Sequence, residues 1–199
     1  LSSNYCNAQW TIIAGDSTTF PVNSSFTHID TSAGNIWQIG LPQKTFFDSS
    51  YSTPFSIMTD SVNPYSINNN SSFTVEYTDT NSYMFIPDAY IGFWHKYETD
   101  SLKDGGYVEI SLDSGATWTN VQNAWSLGMT TSFETNFYNQ SSDTIQGNIP
   151  AFTGTQDNWE YSAIKLQWLF PLIPPFNSNN IEREEFTHKV MFRFNFKSD

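Results

Sequence analysis

The sequence is poor in basic residues. Its 199 residues include 8 Lys and Arg against 20 Asp and Glu, which gives a net charge of −12. A nucleic-acid-binding protein neutralises phosphates with Lys and Arg, and an anionic membrane surface attracts the same residues. The composition therefore argues against both kinds of partner. The acidic excess remains compatible with a hard cation such as calcium, which binds oxygen ligands.

Cysteine and long apolar segments are also scarce. The single cysteine, Cys6, excludes an internal disulfide. No apolar run approaches the ~20 residues that a membrane-spanning helix needs, so membrane insertion is not expected. The opening LSSNYCNAQW has neither the basic nor the apolar region of a signal peptide. If the protein is exported, we expect this sequence to be the mature form or an excised piece.

Helical periodicity is rare, whereas strand-like alternation recurs along the chain. Apolar and polar residues alternate in AYIGFWHKYE (89–98), GYVEISL (106–112) and VMFRFNFK (190–197). One apolar and one mostly polar face is typical of sandwich strands. We therefore predict an all-β protein, a single antiparallel β-sandwich. Only NIEREEFTHK (180–189) is charged enough to predict a short helix.

The stretch SLDSGATW, residues 111–118, has the spacing S-x-D-x-G-x-T-W, known as the Asp-box of sialidase propellers. Asp113 is suited to accept hydrogen bonds from the backbone amides of a turn, and Gly115 allows a positive φ. A propeller needs several blades of about 40–45 residues each, and this chain has one Asp-box. The motif therefore predicts a structural hairpin turn and not a sialidase site.

Five blocks of sequence follow one another in a recognisable order: FTHIDTSAGNIWQIGLPQK, PFSIMTD, FWHKYETDSLKDGGYVEISLDSGATWTNV, AFTGTQDNWEYSAIKLQW and VMFRFNFKSD. In this order they resemble the MAM-like jelly-roll domains of secreted, multidomain Bacteroidetes proteins, which often carry a type IX secretion signal. The resemblance implies a jelly-roll sandwich over residues 26–199, with residues 1–25 as an N-terminal arm that is either separate or part of the sandwich. It also implies a secreted or cell-surface location and other domains in a parent polypeptide.

The chain departs from this family pattern at two places. Relatives commonly carry Phe-Glu where this chain has Phe26-Thr27, and they usually continue past Ser198-Asp199 to a final strand. The family's structural calcium site often draws on both elements. Two interpretations therefore stay open, a whole domain and a fragment without its final strand.

Acidic side chains gather around the loop SLKDGG. Glu98, Asp100 and Asp104 lie in or beside it, and the resemblance brings the loop of Asp30 nearby. Calcium binds several oxygens that converge on a loop. These four residues are the predicted ligands of a structural calcium ion. The alternative is that they are solvated residues that cap turns.

Four aromatic residues in or beside predicted loops are candidates for ligand binding: Trp125, Tyr138, Trp159 and Tyr161. Exposed rings with polar neighbours suit the faces of sugars, and binding residues are often carried on loops. The alternative is that these rings pack at the rim of an aromatic-rich core.

Catalytic patterns are weaker than these binding patterns. Glycoside hydrolysis needs two carboxylates at a set separation, and the glutamates are scattered along the chain at Glu76, Glu109, Glu134 and Glu160. There is no H-E-x-x-H motif, and His95 shares the apolar face of its strand, which predicts a core position.

These observations together predict a non-catalytic adhesion or accessory module. It would act outside the cell and bind a glycan or a cell-surface protein through its edge loops. A purely structural spacer is the alternative, and a glycoside-active enzyme is less favoured.

Overall fold

The computed structural model describes residues 5–7, 10–11, 17–18, 27–30, 32, 34–51, 54–79, 89–168 and 188–199. These residues form fifteen β-strands and one short 3-10 helix. The prediction of an all-β chain is therefore confirmed. Of the segment predicted to be helical, residues 180–187 lie outside the described residues, and the remainder begins a strand at His188.

The strands differ widely in length, from two residues to fourteen. In chain order they are β1 (Tyr5–Asn7), β2 (Trp10–Thr11), β3 (Ser17–Thr18), β4 (Thr27–Ile29), β5 (Trp37–Gly40), β6 (Ser56–Thr59), β7 (Asn70–Asp79), β8 (Ala89–Glu98), β9 (Gly105–Ser111), β10 (Thr119–Asn120), β11 (Met129–Thr135), β12 (Thr144–Ile145), β13 (Ile149–Pro150), β14 (Thr155–Trp168) and β15 (His188–Lys197). The 3-10 helix, Val121–Leu127, joins β10 to β11.

Two antiparallel sheets make up the body of the structure. The six-stranded sheet has the order β11-β14-β8-β1-β6-β5, and the five-stranded sheet has the order β10-β9-β15-β7-β4. The pairs β12-β13 and β2-β3 form two further small sheets. This confirms the predicted antiparallel sandwich, while the jelly-roll type of connection stays a prediction.

Part of the predicted N-terminal arm lies inside a sheet. Strand β1 pairs with both β6 and β8, and Cys6 lies opposite Ile57 on one side and His95 on the other. Strands β2 and β3 also fall within residues 1–25. The other residues of this arm lie outside the described residues.

The core lies between the two sheets because each long strand turns one side inward. On β8, Ile91, Phe93 and His95 are buried, whereas the residues between them are only partly covered or are glycine. The ring of Phe93 meets that of Phe194 on β15 edge-on, with centroids 5.0 Å apart. Fully burying such a side chain contributes about 1.5–3 kcal/mol, so this aromatic contact joins the sheets firmly.

A small apolar cavity of about 40 Å³ remains between the sheets. Its walls include Phe93, Val108, Phe152 and Phe194. Cavities that bind small molecules have several hundred cubic ångströms, so this one is too small for an organic ligand. Among the described residues there is no helix of the length and apolar character that a membrane span requires.

Candidate ligand-binding surface

The structure separates the four aromatic residues that the sequence singled out. Trp125 is 70% exposed on the 3-10 helix and Tyr138 is 2% exposed in the core. The Tyr138 hydroxyl donates to the Val108 carbonyl at 3.2 Å and accepts from the Val108 amide at the same distance. Tyr138 is therefore a structural residue, and its predicted role as a ligand platform is wrong. Trp159 and Tyr161 lie together on β14.

The outer side of the six-stranded sheet carries an aromatic surface. The register pairs Trp94 of β8 with Tyr161 of β14, and Tyr90 with Lys165. These positions alternate with the inward-facing Ile91 and its partner, so they point away from the core. At these two positions β8 therefore contributes two aromatic side chains, and β14 contributes one aromatic side chain and one lysine.

A loop extends this surface. Residues 41–51 follow β5 and fold back over the outer side of the sheet, where Phe47 is buried against Met58 of β6. The ring of Tyr51 stacks on Trp94, with centroids 3.9 Å apart and planes 12° apart. Its centroid lies 6.3 Å from that of Trp159 at an angle of 60°. Because Tyr51 is still 43% exposed, the stack presents an aromatic ring to solvent.

Lys96 fixes the loop to the sheet. Its ammonium donates to the Phe46 carbonyl at 2.8 Å and lies 4.5 Å from the centroid of the Phe46 ring. Lys44 adds a second attachment, since its ammonium donates to the Thr59 carbonyl at 3.3 Å. Burial lowers the pKa of Lys44 to about 8. These contacts hold Tyr51 in position over Trp94.

Tyr161 lies flat against the sheet because β8 has a glycine beneath it. A Cβ atom added to Gly92 would stand 2.2 Å from the Tyr161 hydroxyl and 2.8 Å from Cζ. The hydroxyl instead shares a 2.8 Å hydrogen bond with that of Tyr90. Burial raises the pKa of Tyr161 above its ordinary value, and the Tyr90 hydrogen bond adds to this. Tyr161 therefore presents a neutral hydroxyl beside its ring.

Strand β11 completes the row at the edge of the sheet. Phe133 pairs with Lys165, which itself pairs with Tyr90. Phe133 is 48% exposed. We call the exposed and half-buried aromatic residues of this face the aromatic surface: Tyr51, Tyr90, Trp94, Phe133, Trp159 and Tyr161.

The predicted metal ligands are only partly brought together. Asp100 and Asp104 form a group with Asp199 in which one oxygen of each carboxylate lies within 4.8 Å of the others. Asp30 and Glu98 are not members of this group. Asp30 instead accepts from the amide of Ser32 at 2.8 Å, and this bond and the Ser32 hydroxyl lower its pKa.

Much of the acidic group is already hydrogen-bonded. Asp104, which is buried, accepts from the Tyr65 hydroxyl at 2.8 Å and from the Asp199 amide at 2.9 Å. The ammonium of Lys103 lies 3.7 Å from Asp199. Asp104 therefore ties two loops to the last residues of the chain.

The Asp-box forms the hairpin turn that its spacing predicts. Asp113 accepts from the Thr117 amide at 2.8 Å and from the Thr117 hydroxyl at 2.6 Å, and the Ser111 hydroxyl donates to it at 2.7 Å. These bonds lower the pKa of Asp113 to about 2, and the two bonds from Thr117 have the largest effect. Gly115 has a φ of 88°. All four residues serve the turn itself.

His95 lies in the core, as its strand pattern predicts. Its Nε2 lies 2.7 Å from the Ser162 hydroxyl, which donates to the Asn136 carbonyl. Burial lowers the pKa of His95 to about 3. The imidazole is therefore neutral near pH 7. Both His95 and Ser162 are buried, which leaves this pair without access to a substrate.

The four glutamates weighed for glycoside hydrolysis occupy different environments. Glu109 receives hydrogen bonds from Arg193 and Asn195, and Glu76 lies 2.5 Å from the ammonium of Lys189. Glu134 accepts from the side chain of Gln122, and Glu160 pairs with His95 in the sheet register. The first two carboxylates are thus engaged in ion pairs on the five-stranded sheet.

Sequence reasoning missed most of the aromatic surface. The alternation of β8 already placed Trp94 on the outward side, so a signal for it was present. Tyr51 lies in a loop, and only its contact with Trp94 reveals its position. Asp199 lies 95 residues from Asp104 in the chain, and local spacing carries no information on that contact.

Comparisons of the chain with protein-family models, with curated proteins and with solved structures gave no match. The function is therefore inferred from the geometry of the aromatic surface.

Proposed function

We propose that this chain is a non-catalytic recognition module that acts outside the cell, as an adhesion or accessory domain of a larger secreted or surface protein. Its ligand is a glycan, bound on the aromatic surface. The observation that carries the proposal is the stack of Tyr51 on Trp94 with Trp159 beside it. Such rings offer apolar faces next to polar groups. The apolar face of a sugar ring packs on the first, and its hydroxyls bond to the second.

The proposal moves the binding site from the edge loops to the face of a sheet. Rings on a sheet are held by their strands and lose little freedom on binding, which favours affinity. The resemblance to MAM-like jelly-roll domains of secreted Bacteroidetes proteins agrees with a location outside the cell. A cell-surface protein is the alternative ligand, and a spacer without any ligand is the alternative role.

We also propose a structural calcium ion at Asp100, Asp104 and Asp199. Three carboxylates offer the oxygen ligands that calcium prefers. The ion would stiffen the loop after β8 and would take no part in chemistry. Asp104 already accepts hydrogen bonds from the Tyr65 hydroxyl and the Asp199 amide, and the ion would add to these contacts.

A glycan array probed with the folded protein, once in calcium and once in chelator, tests the proposal. We expect binding to a small set of glycans in both conditions. Binding that needs calcium would assign the acidic loop a part in recognition. A blank array would contradict the glycan proposal and favour a spacer or a protein ligand. Equal melting temperatures in the two buffers would contradict the calcium proposal.

A further inference from the structure

We infer that the aromatic surface binds an uncharged glycan along several consecutive sugar units, and not a single terminal sugar. This inference rests on the proposed function and adds the chemistry and the length of the ligand. It is argued from the spread of the rings, from the charges around them and from the hydroxyls between them.

The rings extend across three neighbouring strands. Trp94 and Tyr90 are four positions apart on β8, which corresponds to about 13 Å of strand. Phe133 lies on β11, two strands from β8, which adds about 10 Å in the perpendicular direction. The diagonal from Trp94 to Phe133 is thus roughly 16 Å. A single sugar would cover only one end of it.

The order of the rings suggests continuous contact along this diagonal. The centroids of Trp94 and Tyr161 are 5.5 Å apart. The Tyr161 hydroxyl reaches Tyr90, and the register then leads through Lys165 to Phe133. Tyr51 and Trp159 extend the opposite end. Rings that follow one another along this diagonal, with Lys165 between Tyr90 and Phe133, match a linked chain of sugars.

The charges on this face favour an uncharged ligand. Lys96 follows Trp94 on the outward side of β8, and its ammonium donates to the Phe46 carbonyl. Three outward rows lead from Trp94 to Phe133: Trp94 with Tyr161, Gly92 with Ala163 and Thr135, and Tyr90 with Lys165 and Phe133. Within these described rows Lys165 is the single charged residue. A polyanion would meet one cation on a protein whose net charge is −12. A basic partner would find no carboxylate in these rows, so its charge would stay unpaired.

The polar groups on the face suit the hydroxyls of a neutral sugar. The hydroxyls of Tyr90 and Tyr161 bond to each other and retain further capacity to donate or accept. Lys165 lies in the row of Tyr90, and Thr135 adds a hydroxyl in the row between Tyr90 and Trp94. Mixed donors and acceptors between apolar faces fix the orientation of a bound ligand.

The test is calorimetric titration with four neutral series, namely cello-, xylo-, manno- and malto-oligosaccharides of two to six units. Polygalacturonate and heparin oligosaccharides serve as charged counterparts. We expect at least one neutral series to bind with an affinity that rises with chain length and then levels off. The charged series should bind about tenfold more weakly or not at all.

Variants at the two ends of the diagonal sharpen the test. Trp159→Ala should weaken binding about tenfold at every chain length. Phe133→Ala should leave the shortest oligosaccharides unchanged and remove the gain that longer ones show. Ile67→Ala removes an exposed apolar residue outside the aromatic surface and should leave binding unchanged. A merely structural role of Phe133 would not produce a loss that depends on chain length.

Three outcomes would overturn the inference. The first is equal affinity for the shortest and longest members of a series, and the second is no binding by any neutral series. The third is that Trp125→Ala abolishes binding whereas Trp159→Ala and Phe133→Ala do not. This result would place the site at Trp125, on the 3-10 helix. If the array still shows glycan binding in these cases, the proposed function stands and only the extended neutral ligand is wrong. A blank array removes both.

Discussion

The two outer sides of the sandwich use aromatic residues in opposite ways. On the five-stranded sheet, Trp118 is covered by Arg193, whose guanidinium lies 4.3 Å from the ring. On the six-stranded sheet, Trp94 is covered by another ring, Tyr51, which remains open to solvent. A cation of the chain thus covers the ring on one side, whereas on the other side the ring of Tyr51, stacked on Trp94, is 43% exposed.

The charges follow the same division. Arg193 donates to Glu109 through Nε at 2.9 Å and through Nη2 at 2.6 Å. Farther along the five-stranded sheet, Glu76 lies between Lys189 and His28, at 2.5 and 3.5 Å. On the outer side of the six-stranded sheet, Lys96 donates to the Phe46 carbonyl at 2.8 Å, and Lys165 is the charged residue in the three rows from Trp94 to Phe133. One side therefore satisfies its polar groups internally, whereas the other leaves surface for a partner.

Among the substitutions compared at neutral pH, the largest loss of stability is expected from Glu109→Ala on the ion-paired side. The variant leaves the Arg193 guanidinium without its carboxylate and removes a 2.9 Å hydrogen bond from Asn195, which is buried. We expect a loss of about 2 kcal/mol in the free energy of unfolding, measured by urea denaturation. Glycan binding should be unchanged, because the opposite side carries it.

A control for that experiment is Lys197→Ala on β15, the strand that carries Arg193. Its ammonium donates to the Gln146 carbonyl at 3.3 Å in an exposed position. Its loss should change the unfolding free energy by less than about 0.5 kcal/mol. If Glu109→Ala costs no more than this control, the ion pairs do not stabilise that side and the comparison fails.

His95, between the two sides, gives a prediction for pH. Its pKa in the folded chain is about 3 and its ordinary value is 6.5. Between these values the unfolded chain binds the proton and the folded chain does not, so stability falls as the pH is lowered. The slope contributed by one such group is at most about 1.4 kcal/mol per pH unit.

The measurement is urea denaturation of the wild type and His95→Gln between pH 7 and 4. The variant removes the titrating group, so the difference in unfolding free energy between the two proteins should change with pH below about 6.5. A difference that stays constant over this interval would show that His95 is protonated in the folded core.

The smallest effect is expected from Tyr161→Phe on the aromatic surface. The change removes one hydroxyl from the pair with Tyr90 and leaves the ring over Gly92. Because the Tyr90 hydroxyl is partly exposed and can bond to water, stability should fall by less than about 1 kcal/mol. Denaturation measures this, and titration with the glycan should show a modest loss of affinity. A loss of stability as large as that of Glu109→Ala would mean that both sides of the sandwich serve stability alike.

The fold was more predictable than the site. Alternation along β8, β9 and β15 identified the inward residues, because the period of a strand is set locally. It also placed Glu109 and Arg193 on the polar side of their strands. Their partnership depends on the register of β9 with β15, which joins distant parts of the chain.

The errors in the predicted site have the same origin. Tyr138 lies in a segment with a polar composition, yet its hydroxyl satisfies the backbone of Val108 inside the core. Trp159 and Tyr161 are predicted to lie in or beside loops, whereas the structure places both on β14. Contacts between residues that are distant in sequence determine which face of a ring is exposed to solvent. The spacing of residues along the chain does not predict these contacts.

The glycine beneath Tyr161, Gly92, has a consequence for how the sequence can evolve. Any side chain at position 92 would take the place of the tyrosine hydroxyl, so the two positions cannot change independently without moving the ring. Among descendants of this sequence that keep the surface, glycine at 92 should accompany tyrosine at 161, and a substitution at one should be followed by a smaller residue or an altered ring at the other. The pair is a mark by which the surface can be traced through divergent relatives after the rest of the sequence has changed.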